Sequence, residues 1–299
     1  MKRKPHTANH TIMMTFTQLP SATTQIRQVF LRRPMVQNYF LKGLLFLLLM
    51  LSFGGAWAQK TWDGGGDRTS WSDANNWNPN GVPLSTETVT ISRTTTTTIN
   101  VDGNYTCAGL SLILTGNDNN NRTLQLNILT GNTLTVNGTT HIDNTSTRAN
   151  RTKTCLISVA GTLNANSGIV MTSTSGNNNK VSSLSIAGGI VNTVGSINMN
   201  AASPLNDITF TTGTLNVTGN IDGGTINAGT GTVNYNGASA QQIGSYTYYD
   251  LTTSGGGTKT LTGATTVNNN LTLTSGILQL GNNSLTIANN ANNAIQGAA

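Results

Sequence analysis

From about residue 88 onward the apolar residues recur at every second position in short runs, and glycine punctuates the runs at fixed distances. Three segments show it best: "LISVAGTLNANSGIVM" from Leu156, "LSIAGGIVNTVGSINM" from Leu184 and "ITFTTGTLNVTGNIDG" from Ile208. In each, a glycine stands five residues after the start (Gly161, Gly189, Gly213) and another eleven or twelve after it (Gly168, Gly195, Gly219). Between them lie Leu163 and Ala165, Val191 and Val194 with one slip, and Leu215 and Val217. Period-two alternation bounded by glycine predicts strand, turn, strand, turn, strand. The pattern extends outward through "LNILTGNTLTVNG" from Leu126, with Gly131 and Gly138, and through "LTLTSGILQLGNNSLTI" from Leu271, with Gly276 and Gly281.

Unit starts at Leu126, Leu156, Leu184 and Ile208 recur at gradually shortening intervals, all within the range in which internal periods mark solenoids. Strands this short cannot bury an apolar face as isolated hairpins, and no 3.6-residue pattern offers a covering helix. Coiling each repeat once solves both problems, because its strands then pair in parallel with those above and below around a common core. The expected fold is all-β, a right-handed parallel β-helix, the hand following the usual preference of parallel crossovers. A β-sandwich is the alternative, but it does not call for glycine at matching offsets. Roughly eight coils at about 4.8 Å per layer would extend on the order of 40 Å. "NDNNN" at 117–121, "GNNNK" at 176–180 and "NNN" at 268–270 read as corners, stacked asparagines as ladders, and Thr94 to Thr98 as an early strand.

The pattern stops before residue 59, and the chain divides there. Leu44 to Phe53, "LLFLLLMLSF", follows Lys42 and the Arg32-Arg33 pair and precedes Ala56-Trp57-Ala58. That is the layout of an export signal, too short to span a bilayer, with cleavage between Ala58 and Gln59 and with Met35 as an alternative start. Three segments are therefore expected: an export region over 1–58, a Trp-rich cap and first strands over 59–100, and solenoid repeats over 101–299. Division also changes the meaning of the net charge of +6. Seven of the sixteen Lys and Arg precede position 59 and no acid does; from Gln59 onward nine basic residues face ten acidic, a net of −1. A nucleic-acid partner is thereby excluded, and the membrane matters only during export.

Candidate chemistry is sparse. The only cysteines, Cys107 and Cys155, can form a disulfide outside the cytoplasm or remain two buried thiols on separate strands. Only Asp63, Asp67, Asp73 and Glu87 lie close together among the acids; Asp143, Asp207 and Asp222 share no repeat offset, and His141 has no nucleophile nearby, so no catalytic residue is assigned. No cofactor is expected, save that Asp63 and Asp67 flanking "GGG" could hold calcium. "TWDGGGDRTSWSDANNWNPNGVP", Thr61 to Pro83, carries three of the four tryptophans. Trp62, Trp71 and Trp77 read either as a plug over the first coil, the favoured reading, or as a carbohydrate-binding platform.

With these features in place, the chain resembles secreted, adhesin-like β-solenoid repeat proteins of Gram-negative bacteria, of the type IX-secreted and autotransporter-like kind. The resemblance rests on "WDGGGDRTSWSDANNWNPNGVPLSTETVTI", on "GTVNYNGASAQQI" from Gly231, and on "YYDLTTSGGGTKTLTGATTVNNNLTLTSGILQLGNNSLTI" ending at Ile287. It implies a secreted or cell-surface protein on the outer face of the outer membrane, structural or adhesive rather than catalytic. Its partners would be surface glycans, matrix or other surface proteins. The alternatives are a polysaccharide lyase or hydrolase, a carbohydrate-binding module, or a fragment of a larger adhesin. Such proteins run on to further repeats and an anchoring domain, whereas this sequence stops at "ANNANNAIQGAA", which reads as truncation.

Overall fold

A computed structural model describes residues 58–147, 151–174, 179–199 and 205–297. The expected export region over 1–58 lies outside them except for Ala58, with Met35 and Leu44 to Phe53 among the undescribed residues, as does most of the 176–180 corner. The described chain is all-β and winds through successive turns, each contributing three short strand segments. No helix among the described residues is long and apolar enough to cross a membrane.

One face of the coil stacks Thr88–Arg93, Gly109–Leu114, Thr140–Asn144, Ile169–Ser173, Ile197–Asn198 and Ile221–Asp222, all parallel. The second stacks Thr97–Val101, Arg122–Ile128, Lys153–Val159 and the leading halves of Lys180–Thr193 and Asp207–Val217. A third runs from Tyr105–Cys107 through Thr133–Val136 and Thr162–Ala165 to the trailing halves of those two long strands. It continues through Thr232–Tyr235, Asp250–Thr253 and Leu271–Leu273 to Ile295–Gly297.

Alternation sends every second residue inward, so like side chains stack on like. Leu126 lies beside Ile157, Ile157 beside Leu184, and Leu184 beside Ile208, all fully buried. Each such side chain contributes roughly 1.5–3 kcal/mol by leaving water. Two details differ from the alignment by glycine offset. Ile157, not Leu156, carries the register, because inward residues must face inward neighbours. Likewise Thr193, between Ala165 and Val217, fills the inward position while Val194 is exposed. The expected threonine strand is also shorter: it begins at Thr97, and Thr94 to Thr96 form a corner.

The glycine offsets mark a real column. A Cβ on Gly161 would lie 2.3 Å from the Asn132 carbonyl oxygen, one on Gly189 2.4 Å from that of Gly161, and one on Gly213 2.4 Å from that of Gly189. Each turn's corner thus sits directly on the carbonyl of the turn before. Asparagine forms the ladder expected of it on the outward side of the third face. Asn192 Nδ2 donates to Asn164 Oδ1 at 2.9 Å, Asn216 to Asn192 at 2.9 Å, and Asn234 to Asn216 at 3.0 Å.

Turn length falls along the chain as far as Leu251 and lengthens again towards Leu271 and Ile295. On the third face the in-register residues are Leu134, Leu163, Val191, Leu215, Val233 and Leu251, and each step from Leu163 onward is shorter than or equal to the one before. The outward ladder shortens with it: Thr135 and Asn164 are separated by 29 positions, Asn216 and Asn234 by 18. In the shortest turns Tyr235 takes the place beside Val217 and meets Tyr248, hydroxyl to hydroxyl, at 3.0 Å inside the core. Buried lysine closes a corner of these narrow turns: Lys259 Nζ donates to the carbonyls of Gly237 at 2.5 Å and Gly256 at 2.7 Å.

The glycine column makes a sharp prediction. Gly189→Ala should destabilise the protein by about 1–3 kcal/mol through overpacking, whereas Gly109→Ala, whose Cβ would meet nothing nearer than 3.7 Å, should change stability by less than about 0.5 kcal/mol. Urea unfolding of both variants checks this.

Candidate functional site

Asn76 organises the segment before the first full turn. Its buried side chain accepts from the backbone amides of Gly66 and Arg68, both at 3.0 Å, and donates to Asp67 Oδ1 at 2.8 Å and the Ser70 carbonyl at 2.9 Å. Asp67 Oδ1 also accepts from the amides of Thr69 and Ser70 at 2.9 Å. Asp73 accepts from the amide of Asp67 at 2.8 Å and caps the 3-10 turn Ala74–Asn76. Short polar side chains bonding to nearby amides are what aspartate and asparagine do in tight loops.

The tightened loop swings three indoles over the open end of the core. Gln59–Trp62 pairs in parallel with Thr88–Arg93 and antiparallel with Trp77–Asn78, so Trp62 stands opposite Trp77. Their rings meet edge to face at 4.9 Å, and Trp71 meets Trp77 at 4.8 Å. Trp77 Nε1 donates to the Trp71 carbonyl at 2.9 Å. The second face is covered too, because the Trp71 amide donates to the Asn100 carbonyl at 2.9 Å. Relative exposures of 1 %, 0 % and 0 % for Trp62, Trp71 and Trp77 leave no ring face free to stack on a sugar. The carbohydrate platform is therefore corrected to the cap: the rings are spent on the core.

The other expected sites resolve in the same physical terms. Asp63 Oδ1 accepts from Gly65 at 2.9 Å and Asp67 is committed to the loop amides. Among the described residues no three His, Cys, Asp or Glu side chains gather as a cation would require. Cys107 and Cys155 are free rather than bonded, because each points into the core from a different face, Cys107 beside Val136 and Cys155 beside Leu124. Burial pushes the Cys107 thiol up to about 12 and raises Cys155 as well, so neither is a reactive thiolate. His141 lies between Ser111 and Val170 on the first face, and Asp143 accepts from the Thr172 hydroxyl. Ala58 accepts from the Thr88 amide at 2.9 Å, and the first strand begins at Gln59, the residue that cleavage would leave first.

Folding also assembles a cleft that the sequence did not announce. It has a volume of about 500 Å³ and lies between the cap loop and the first corner, lined by Trp62, Asp63, Gly64, Arg68, Arg93 and Thr95 to Thr98. Burial lowers the Arg93 guanidinium from its ordinary value while the Asp63 charge pushes back. A second cleft, of about 490 Å³, sits where the turn narrows, with Asp222, Gln242 and Tyr246 in its wall. Nothing in the order of residues links Arg68 to Arg93; the only signal was that basic residues are scarce after position 59. Compared with protein-family models, curated proteins and solved structures, the chain matches none.

Charge also works as a staple. Asp118, in the 117–121 corner, accepts from Arg122 Nε at 2.9 Å and from the buried Lys153 Nζ at 2.7 Å. Hydrogen bonds from Arg122, Lys153 and Asn120 hold its carboxyl well below the usual carboxylate range, and those from Ser70, Thr69 and Asn76 do the same for Asp67. A carboxyl depressed in the folded state stabilises that state above its unfolded value near 4 and loses the contribution as pH falls. Thermal stability should therefore hold from neutral pH down to about 5 and decline below about 4. Asp118→Asn should flatten that decline while lowering the melting temperature by several degrees at neutral pH, with Lys153 left uncompensated. Melting curves across the pH range check both.

Proposed function

We propose that the protein is a secreted or cell-surface β-solenoid whose work is structural and adhesive rather than catalytic. The observation that carries this reading is the outward face: Thr135, Asn164, Asn192, Asn216, Asn234 and Ser254 form one hydrogen-bonded line across successive turns. Repeated amide and hydroxyl groups at a fixed spacing suit multiple weak contacts with a repeating polymer or surface, where avidity replaces single-site affinity. Export is supported by the leader pattern and by a first strand that begins at Gln59.

The partners fitting this surface are glycans, matrix or other surface proteins, and the location is the outer face of a Gram-negative outer membrane or the medium. A polysaccharide-active enzyme is the second reading, favoured only by the Asp222 and Tyr246 cleft, whose single carboxylate lacks the paired acid that glycoside hydrolysis uses.

Expressed with its leader in a Gram-negative host, the exported protein should begin at Gln59 by mass spectrometry. The purified protein should be retained on cells, matrix or polysaccharide surfaces, and loss of retention from all of them would end the adhesive half of the reading. Reducing-sugar or unsaturated-product release that disappears in Asp222→Asn would replace it with the enzymatic one.

A further inference from the structure

We propose that the cleft between the tryptophan cap and the first corner is an oxyanion site for an acidic saccharide, its carboxylate or sulfate seated on Arg68 and Arg93 and its ring along Thr95 to Thr98. The idea deepens the adhesive reading and rests on it for the saccharide half of its ligand.

The first support is the state of the cations. Among the described basic residues, Arg122 and Lys153 share Asp118, Lys60 faces Glu87 and the Pro79 carbonyl, and Lys180 and Lys259 donate to backbone carbonyls. The guanidinium groups of Arg68, Arg93 and the exposed Arg151 have no hydrogen bond or ion pair among the described residues, and of these Arg68 and Arg93 line one cleft. Arg93 is half-buried there and Arg68 stands at the exposed rim; the one carboxylate present, Asp63, accepts from the Gly65 amide and offsets part of the Arg93 charge, which leaves the cleft net positive by one. Two guanidinium forks on one cleft, one of them partly desolvated, match a carboxylate or sulfate in geometry and charge.

The base of the cleft adds a third donor. Trp62 Nε1 is buried and has no acceptor, a condition that costs free energy and is uncommon in folded proteins. Gly64, at φ +70°, is bare between the donors: a Cβ there would stand 2.9 Å from Arg93 Nη2 and 3.4 Å from Trp62 Nε1. A side chain at this position would close the base of the cleft. Arg68 itself has φ +68°, the one non-glycine residue with positive φ among those described, and Asn76 accepts its amide. Strain of this kind persists where surrounding bonds over-determine the backbone, and it concentrates at binding sites.

Size and field narrow the ligand. About 500 Å³ exceeds what a bare inorganic anion fills and falls in the range of small-molecule sites. The row Thr95 to Thr98 offers hydroxyls suited to the hydroxyls of a sugar ring. A net charge of −1 from Gln59 onward disfavours a polyphosphate, which needs an extended basic track, but permits one acid group per residue of a polymer.

Calorimetric titration of the purified protein with oligogalacturonate and a sulfated oligosaccharide, each beside its uncharged counterpart (methyl-esterified or unsulfated), tests the site. At least one acidic form should bind about tenfold or more tightly than its neutral counterpart, and Arg93→Gln and Arg68→Gln should each weaken it about tenfold. Arg151→Gln, which removes the same charge from an exposed position outside the cleft, should bind as the parent does. Unchanged melting and circular dichroism show that each variant is folded. The proposal falls if acidic and neutral forms bind alike, if no acidic form binds, if the two cleft variants behave as Arg151→Gln does, or if sodium acetate or sulfate alone competes at the saccharide's concentration. Surface retention without acidic-saccharide binding overturns this site and leaves adhesion standing; saccharide binding without retention supports the site and overturns adhesion.

Discussion

Parallel pairing of one turn with the next is the constraint from which the rest of this molecule follows. A backbone hydrogen-bonded to its neighbours above and below at about 4.8 Å must accept, at each inward position, a side chain that packs on its own counterpart one layer away. Leu126, Ile157, Leu184 and Ile208 satisfy this with apolar contact, and Gly161, Gly189 and Gly213 with the absence of a side chain. Asn164, Asn192, Asn216 and Asn234 satisfy it outside the core, each later amide donating to the one a turn before it. Stacking like on like therefore explains both the scarcity of charge and the abundance of Asn, Thr and Gly, since a column of like charges would repel at every layer.

The exceptions lie where the coil changes course. Lys153, fully buried, answers Asp118 at a corner, and Lys259 answers three carbonyls in a glycine-rich one. A corner exposes backbone carbonyls that no neighbouring strand takes up, and a long amine brings donors to them without interrupting the columns. Tyr235 and Tyr248 perform the matching task where the turn is shortest: their rings fill the narrower core and their hydroxyls satisfy each other.

Closing the first turn creates the candidate site. An uncovered end would leave strand edges and apolar residues in water, so the tryptophan loop must fold back tightly. To do so it places Arg68 at positive φ and keeps Gly64 bare, and the space left between loop and corner is the arginine cleft. Of the three tryptophans that look from their order like a sugar platform, Trp62 alone lines this cleft, with its indole N–H buried and unpartnered.

The solenoid itself was legible along the chain, because period-two alternation and recurring glycine are local consequences of the stacking rule. So was the role of the tryptophans as a cap, since an open end needs large apolar side chains just before the first strand. Exact register was not: Ile157 rather than Leu156, and Thr193 rather than Val194, face inward because their neighbours one turn away do. The separation of Cys107 from Cys155 onto different faces and the meeting of Arg68 with Arg93 were equally hidden. Sequence alone determined the repeat and its polar ladders, because these depend on the recurrence of residue types at a fixed spacing along the chain. Tertiary structure decided which side chains meet across turns and which donors are left unpaired, because turn length varies along the coil and only the closed hydrogen-bond register converts chain position into neighbourhood.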